Sequence, residues 1–260
     1  MVTSLRTPHL RHASLCLHHG GHRHDLPRCG RRCPGCGEQA MSILFISGTG
    51  TDVGKTIATA ALASAFHHRG DRVIPVKPVQ TGEPDGRGDI HTVEKLSGIR
   101  GVEFTRYPDP LAPNLAARRA GLPQVTLPDL AREIRDLDAP DRIVLVEGAG
   151  GVLVRLADDL TLLDVAAELD APLVLVTSLG LGSLNAAELS VQAARTAGVE
   201  VLGLIGGSAS PDPGLAEQLN HGELTRICRV PLLGVLPAGA GDLLPDDFQA
   251  MAQSCLTLPL

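Results

Sequence analysis

The feature that most constrains this chain is a glycine-rich stretch between a short apolar run and a helical pattern. Residues 43–46 are apolar, and residues 48–56 read GTGTDVGKT. Glycines allow backbone N–H groups to turn inward onto phosphate oxygens, and the N-terminus of the following helix adds a partial positive charge. Lys55 is expected to reach the β and γ phosphates, and the Thr56 hydroxyl to ligate the accompanying Mg²⁺. The stretch therefore predicts a phosphate-binding loop for a nucleotide.

The spacing inside this loop differs from the commonest form of the motif. Gly48 lies six positions before Gly54, one more than usual, and Thr49 stands where the first glycine is normally found. A strand pattern precedes the loop, and a helical pattern at residues 57–68 follows it. This is the context that a phosphate-binding loop requires, so the sequence favours nucleotide binding.

Aliphatic runs alternate with helical patterns along the rest of the chain. Hydrophobic residues make up 43% of the sequence, aromatic residues only 2%, and Trp is absent, which suits the aliphatic strands of a buried parallel sheet. Strands are predicted at residues 43–46, 72–82 (running into a loop), 142–146, 172–178, 201–208 and 232–237. Helices are predicted at residues 57–68, 90–96, 115–120, 127–137, 160–169, 186–197 and 246–254, with a proline-rich connection at 106–114. We predict an α/β fold of the P-loop NTPase type, a three-layer arrangement with a mostly parallel sheet and helices on both faces, in a single domain over residues 41–260.

Charge and composition exclude some partners. The net charge of −6 argues against a general polyanion-binding surface, so no nucleic-acid partner is expected. No stretch approaches the roughly 20 consecutive apolar residues that a membrane span needs, so no membrane partner is expected. Cys228 and Cys255 are interpreted as reduced thiols, and the protein is expected to be cytoplasmic.

The first 40 residues differ from the remainder. They contain six of the ten His, four of the six Cys and a net charge of +4, which leaves −10 for the rest of the chain. Cys33 and Cys36 have C-x2-C spacing, with Cys29 nearby, which is one half of a zinc-site pattern. No second ligand pair follows and apolar periodicity is absent, so residues 1–40 are interpreted as a disordered or non-native extension.

Three charged residues follow predicted strands. Lys77 ends one strand, Glu147 ends another before a run of glycines, and Asp89 opens a short helix. The carboxyl ends of parallel strands share one crevice, so these residues can form one site with the loop, and an acid there can hold Mg²⁺. On position alone, Lys77 could equally be a solvated surface lysine. Asp89 could be simply an N-cap, or both a cap and a neighbour of the ligand. Glu147 could be a carboxylate in an ordinary turn, but the run of glycines after it favours a ligand.

Four motifs together resemble the dethiobiotin synthetase family. They are GTGTDVGKT at residues 48–56, KPVQTG at 77–82, VEGAGG at 146–151 and LGSLN at 181–185. The match runs from about residue 41 to the C-terminus and accommodates the long loop spacing, while residues 1–40 have no counterpart. The resemblance implies ATP-dependent closure of a cyclic urea on 7,8-diaminononanoate with CO₂, through a carbamate and a carbamic-phosphoric anhydride, in biotin synthesis. It also implies Mg²⁺ as cofactor, ATP as co-substrate and a homodimer.

The resemblance assigns roles to individual positions. Lys55 and Lys77 match catalytic lysines, and Thr56, Asp89 and Glu147 match metal-associated residues. Nucleotide-binding positions are Asp52, Val53, Gly54, Lys55, Thr56, Ile57, Asp89, Glu147, Gly148, Ala149, Gly150, Gly207, Ser208, Pro237, Ala238 and Gly239. Substrate-binding positions are Thr81, Leu184 and Asn185, the latter two in a segment that reaches the substrate of the other subunit in the family. The loop at 206–210 lacks the Asn-Asp form of some members, so the resemblance leaves nucleotide preference open.

An alternative function is a nucleotide-switched binding module of the partition-ATPase type. Such proteins carry a second lysine early in the phosphate-binding loop, and residues 48–54 contain none. The acidic balance of the chain also counts against this alternative. The sequence therefore favours the synthetase.

Overall fold

A computed structural model describes residues 43–83 and 86–259. The strands are β1 (Ile43–Gly48), β2 (Arg72–Thr81), β3 (Val102–Tyr107), β4 (Arg142–Gly151), β5 (Arg155–Ala157), β6 (Leu160–Thr161), β7 (Leu173–Thr177), β8 (Val201–Ala209) and β9 (Leu232–Pro237). The helices are α1 (Lys55–Arg69), α2 (Asp89–Ser97), α3 (Pro113–Ala120), α4 (Leu127–Leu137), α5 (Leu162–Glu168), α6 (Ser183–Thr196), α7 (Leu215–Cys228) and α8 (Pro245–Cys255), with a 3₁₀ turn at Ala240–Asp242. The zinc hypothesis and the disorder prediction for residues 1–40 lie outside the described residues.

Seven of these strands form one sheet in the order β3-β2-β4-β1-β7-β8-β9, and every pair in it is parallel. The strand before the phosphate-binding loop, β1, lies at the centre between β4 and β7. Parallel pairing brings the carboxyl ends of β2, β4, β8 and β9 to the same edge as the loop. The topology therefore places the predicted site at that edge.

Helices cover both faces of the sheet, as predicted. Alternate residues of β1 belong to two different cores: Phe45 packs in one cluster with residues of α3 to α7, and Leu44 in the other with residues of α1, α2 and α8. Both side chains are fully buried. A strand buried on both faces requires the continuous aliphatic pattern seen in the sequence.

Four local predictions were wrong or incomplete. Arg106 and Tyr107, predicted to lie in a connection, end the edge strand β3. Within residues 43–83 and 86–259, β3 pairs only with β2, and it is half-buried, so its hydrophobic pattern is weak. Helix α7 was not predicted, because only Asn220, Leu224 and Cys228 of its 14 residues are buried and no clear apolar stripe results. Residues 160–161 form β6 rather than the start of a helix, and α6 begins earlier than predicted, at Ser183.

Candidate functional site

The phosphate-binding loop packs against the end of β8. Gly54, the N-cap of α1, has φ of 93°, a left-handed conformation that favours glycine. A Cβ on Gly54 would lie 2.6 Å from the Gly207 carbonyl oxygen, and a Cβ on Gly207 would lie 1.7 Å from the Val53 carbonyl oxygen. Glycine is therefore required on both sides of this contact, which brings Gly207 to the loop.

Lys55 lies in the first turn of α1 and is 8% exposed. Its Nζ donates a hydrogen bond of 2.8 Å to the Gly50 carbonyl oxygen, so the ammonium group folds back across the loop. Burial lowers the pKa of Lys55, and the nearby Lys77 cation lowers it further. An anionic phosphate in the loop would offset both effects.

A buried charge cluster lies beside the loop. The Nζ of Lys77 lies 3.1 Å from Oε1 of Glu147, donates a 2.9 Å hydrogen bond to the Gly148 carbonyl oxygen and forms an ion pair with Asp89. Val76 pairs with Val146 in the parallel ladder between β2 and β4, so Lys77 and Glu147 follow at equivalent positions. The register of the sheet thus produces the contact.

The charges in this cluster balance each other. Burial alone would lower the pKa of Lys77, but Glu147 and Asp89 outweigh it and the pKa is raised. Burial is the largest single influence on Asp89 and acts to raise its pKa, but the Lys77 cation and the hydrogen bonds to the carboxylate together outweigh burial, and the pKa is lowered. For Glu147, burial is the stronger influence and raises the pKa against the effect of Lys77. Lys77 therefore stays protonated, and Asp89 stays anionic.

Thr56 and Glu147 have the donor chemistry of a Mg²⁺ site. The Thr56 hydroxyl donates a 2.9 Å hydrogen bond to Oε1 of Glu147, while Oε2 of Glu147 is buried and has no hydrogen-bond partner among the described residues. An unsatisfied buried carboxylate oxygen is costly and is suited to a hard cation. Mg²⁺ commonly uses one or two protein carboxylates together with nucleotide phosphates.

The structure decides the alternative interpretations of the charged residues. Lys77 is 3% exposed, so it is not a solvated surface lysine. Asp89 is not an N-cap, because the N-cap of α2 is Gly88 and the Asp89 carboxylate pairs with Lys77. Glu147 does not lie in a turn, because β4 continues to Gly151.

Other predicted residues lie at or after the carboxyl ends of strands of the same sheet. Thr81 is the last residue of β2, and Pro237 is the last residue of β9. The Ala238 amide donates to the Ala209 carbonyl oxygen at 2.8 Å, which joins the loops after β8 and β9. Leu184 and Asn185 lie in the first turn of α6, and no contact of either with the charge cluster is seen. Asp52 lies at the exposed tip of the loop, and Ile57 packs on the 3₁₀ turn at Ala240–Asp242. The remaining predicted positions follow residues already placed: Ala149 and Gly150 follow Gly148, Ser208 follows Gly207, and Gly239 lies two residues after Pro237.

A cavity of about 400 Å³ lies beside the phosphate-binding loop and was not predicted. Its lining residues come from the loop, the end of β4 and α6: Thr49, Gly50, Thr51, Gly151, Val152, Leu153, Val154, Leu189, Ser190 and Ala193. Leu153 and Leu189 are 60% and 58% exposed, which is high for leucine. The signal available in the sequence was the apolar run directly after the VEGAGG motif.

Several known proteins are similar to this chain. A family model described as an AAA domain matches residues 42–240. The ATP-dependent dethiobiotin synthetase BioD of Corynebacterium diphtheriae is 55% identical over 219 residues, covering 84% of this chain and 98% of that protein. The chain belongs to the dethiobiotin synthetase family. The family member from Rhodococcus erythropolis is 49% identical over 220 residues, covering 83% of this chain and 97% of its own length.

Among solved structures, the cell division ATPase MinD of Pyrococcus furiosus is similar at 19% sequence identity and a TM-score of 0.48. The similarity covers 76% of this chain and 84% of that one. In the described part of this dethiobiotin synthetase family member, no helix is long and apolar enough to cross a membrane.

Proposed function

We propose that the protein is an ATP-dependent dethiobiotin synthetase, which closes the ureido ring on 7,8-diaminononanoate in biotin biosynthesis. One observation carries the proposal: a buried lysine, Lys77, is held between Glu147 and Asp89 at the mouth of a phosphate-binding loop, in a chain of this family. The lysine lies where negative charge would develop during phosphoryl transfer. The partition-ATPase alternative is not favoured.

The proposed reaction has three steps. One substrate amine attacks CO₂ and, with loss of a proton, forms a carbamate. A carbamate oxygen then attacks the γ-phosphorus of ATP, and ADP leaves. The second amine attacks the carbonyl carbon of the resulting carbamic-phosphoric anhydride, the ring closes, and inorganic phosphate leaves with release of a proton. Lys77 and Lys55 would stabilise the negative charge on the carbamate and the transferring phosphoryl group.

Metal and nucleotide positions follow the same geometry. Thr56, Asp89 and Glu147 would hold Mg²⁺, which when bound offsets negative charge on the ATP phosphates. The unpartnered Oε2 of Glu147 supports this assignment. Nucleotide contacts are proposed for residues 52–57 and 148–150, with Gly207, Ser208, Pro237, Ala238 and Gly239 around the base. The contact between Gly207 and Val53 supports a place for Gly207 beside the phosphate-binding loop.

The substrate and the oligomer are proposed together. The cavity beside the loop has an apolar lining suited to the methylene chain of the diamine, and Thr81 would contact the reacting end. The exposed leucines at the cavity, Leu153 and Leu189, support a homodimer interface on this face. Leu184 and Asn185 would then contact substrate across that interface. The cytoplasmic location stays a prediction.

The direct test is product formation. Purified protein is mixed with 7,8-diaminononanoate, bicarbonate, ATP and Mg²⁺, and the cyclic urea and ADP are quantified by mass spectrometry and chromatography. We expect one ADP per ring closed, and no ring when either CO₂ source or ATP is omitted. A folded protein that binds ATP but forms no ring would contradict the proposal.

A further inference from the structure

Helix α2 begins without a cap of its own. Its N-cap is Gly88, which has no side chain, and Asp89 is the first helical residue. The first N–H groups of a helix have no partner inside the helix and must find one elsewhere. Asp89 is a residue type that often fills the capping position, but its carboxylate pairs with Lys77 instead. The N-terminus of α2 therefore depends on another element.

Gln80 supplies the missing acceptor. Its Oε1 accepts a 2.9 Å hydrogen bond from the Asp89 backbone N–H, and its Nε2 donates a 3.0 Å hydrogen bond to the Thr81 carbonyl oxygen. Gln80 is buried, and both of its hydrogen bonds are partly buried. One amide thus joins the end of β2, which carries Lys77 and Thr81, to the start of α2.

The packing around this amide is close. A Cβ on Gly88 would lie 2.6 Å from Oε1 of Gln80 and 2.9 Å from Nη2 of Arg106. Any larger residue at position 88 would displace the amide that it touches. A capping Ser or Asp at position 88 is therefore incompatible with the Gln80 contact.

We propose that Gln80 is a positioning residue that caps α2 in place of Gly88 and so fixes the Asp89 carboxylate against Lys77. Because Gln80 caps the helix, the Asp89 carboxylate is free to pair with Lys77. The proposal rests on the proposed function in one respect, namely that Asp89 is a residue that holds the metal. Gln80 itself makes no described contact with Lys77 or Glu147, so it acts through Asp89.

The first experiment measures Mn²⁺ affinity in the presence of ADP by electron paramagnetic resonance, which needs no turnover. Replacing a group that orients a metal ligand typically weakens metal binding by about 10- to 100-fold, so Gln80→Met should weaken Mn²⁺ by about tenfold. If Gln80→Met does not fold, Gln80→Asn replaces it in the experiment. The shorter Asn amide cannot reach the Asp89 N–H, so this variant should also weaken Mn²⁺ binding. Wild-type Mn²⁺ affinity in the folded variant would overturn the proposal.

Gln124 provides a matched control. Its Oε1 accepts a 2.8 Å hydrogen bond from the Asp158 N–H, and its Nε2 donates to the Asn114 carbonyl oxygen at 3.5 Å, so the bonding pattern is the same. Gln124→Met should keep wild-type Mn²⁺ affinity. An equal loss of Mn²⁺ affinity in the Gln80 and Gln124 variants would show that the effect is general destabilisation, and it would overturn the proposal.

A double-mutant cycle shows whether Gln80 acts through Asp89. Asp89→Asn with Gln80→Met should bind Mn²⁺ no more weakly than Asp89→Asn alone, because the second change acts on a ligand already lost. Hydrogen exchange at the Asp89 amide should speed up in Gln80→Met. Additive losses, or unchanged exchange, would refute the positioning role. These measurements remain interpretable if the wild-type protein forms no cyclic urea.

Discussion

At the scale of single residues, Lys77 shows how burial and charge oppose each other. An unpaired ammonium group is costly to bury, and two carboxylates compensate for that cost here. The arrangement keeps a fixed cation next to the phosphate-binding loop, with no reorganisation needed when negative charge develops. The same pairing means that Lys77 serves stability and chemistry together.

Replacing Lys77 should lower activity and stability far more than replacing an exposed lysine. Lys77→Met removes an electrostatic stabiliser, so kcat should fall by about 100-fold or more. It also leaves a buried carboxylate without its partner, so unfolding free energy should fall by about 3–5 kcal/mol. Lys95 on α2 is exposed, and Lys95→Met should change unfolding free energy by less than about 0.5 kcal/mol. Steady-state kinetics measure kcat, and urea unfolding measures the unfolding free energy. Near-normal turnover in Lys77→Met would show that Lys77 is not the electrostatic stabiliser of the reaction.

Tyr107 offers a pH prediction with an unambiguous signal. It is the only tyrosine and the chain lacks Trp, so phenolate absorbance reports this residue alone. Tyr107 is buried and its hydroxyl donates a 2.8 Å hydrogen bond to the Pro123 carbonyl oxygen. Burial raises its pKa above the ordinary value of 10.0. Stabilisation by the neutral phenol is therefore full below pH 10.0 and is lost as pH rises through the higher folded pKa.

The measurement is a spectrophotometric titration of the native protein. A midpoint above 10.0 is expected, and denaturant should return it to the ordinary value. Tyr107→Phe should abolish the signal and reduce unfolding free energy by about 1 kcal/mol through the lost hydrogen bond. A native midpoint at or below the ordinary value would show that the phenol is not buried.

Much of the charge cluster could be predicted from the sequence, and particular parts could not. Lys77 and Glu147 follow aliphatic runs, and parallel strands bring such positions to one edge. The unpartnered Oε2 of Glu147 and the capping role of Gln80 depend on side-chain geometry, for which the sequence contains no periodic signal. Asp89 was identified as a site residue, and of its alternative interpretations the N-cap was wrong.

At the scale of secondary structure elements, α7 shows why a helix can be missed and still matter. Nδ2 of Asn220 donates to the carbonyl oxygens of Leu179 and Gly180, at 3.0 and 2.8 Å, and to Oγ of Ser183 at 3.1 Å. These groups form the connection from β7 into α6. One buried amide on α7 therefore fixes the start of the helix that carries Leu184.

Asn220→Leu should leave these three acceptors without their donor. Unfolding free energy should fall by about 1–3 kcal/mol, and amides of residues 180–183 should exchange faster with solvent. Gln218 lies on the same helix, is exposed and donates to the Pro213 carbonyl oxygen at 2.7 Å. Gln218→Leu is expected to cost about 0.5 kcal/mol without changing that exchange. Equal effects of the two variants would show that Asn220 has no specific role at this connection.

At the scale of the whole molecule, strand order turns distant residues into one site. Lys77 lies in β2 and Glu147 in β4, while Lys55 follows β1 and Asp89 follows β2. These three strands are adjacent in the order β2-β4-β1. Alternating strand and helix patterns were sufficient to predict a parallel sheet with two covered faces. They did not predict the edge strand β3 or the cavity, because half-buried strands and exposed leucines give weak patterns.

The exposed leucines at the cavity lead to the last prediction, which concerns assembly. If Leu153 and Leu189 lie in a homodimer interface, light scattering should give twice the chain mass with or without ATP. Leu189→Glu buries a charge in that interface and should shift the protein to monomer. Leu219 on α7 is 62% exposed, close to the 58% of Leu189, and Leu219→Glu should remain dimeric. Since substrate contacts are proposed across the interface, Leu189→Glu should also raise KM for the diamine more than KM for ATP. A monomeric wild type would show that there is no such interface. Identical masses for the Leu189→Glu and Leu219→Glu variants would show that the interface does not lie at Leu189.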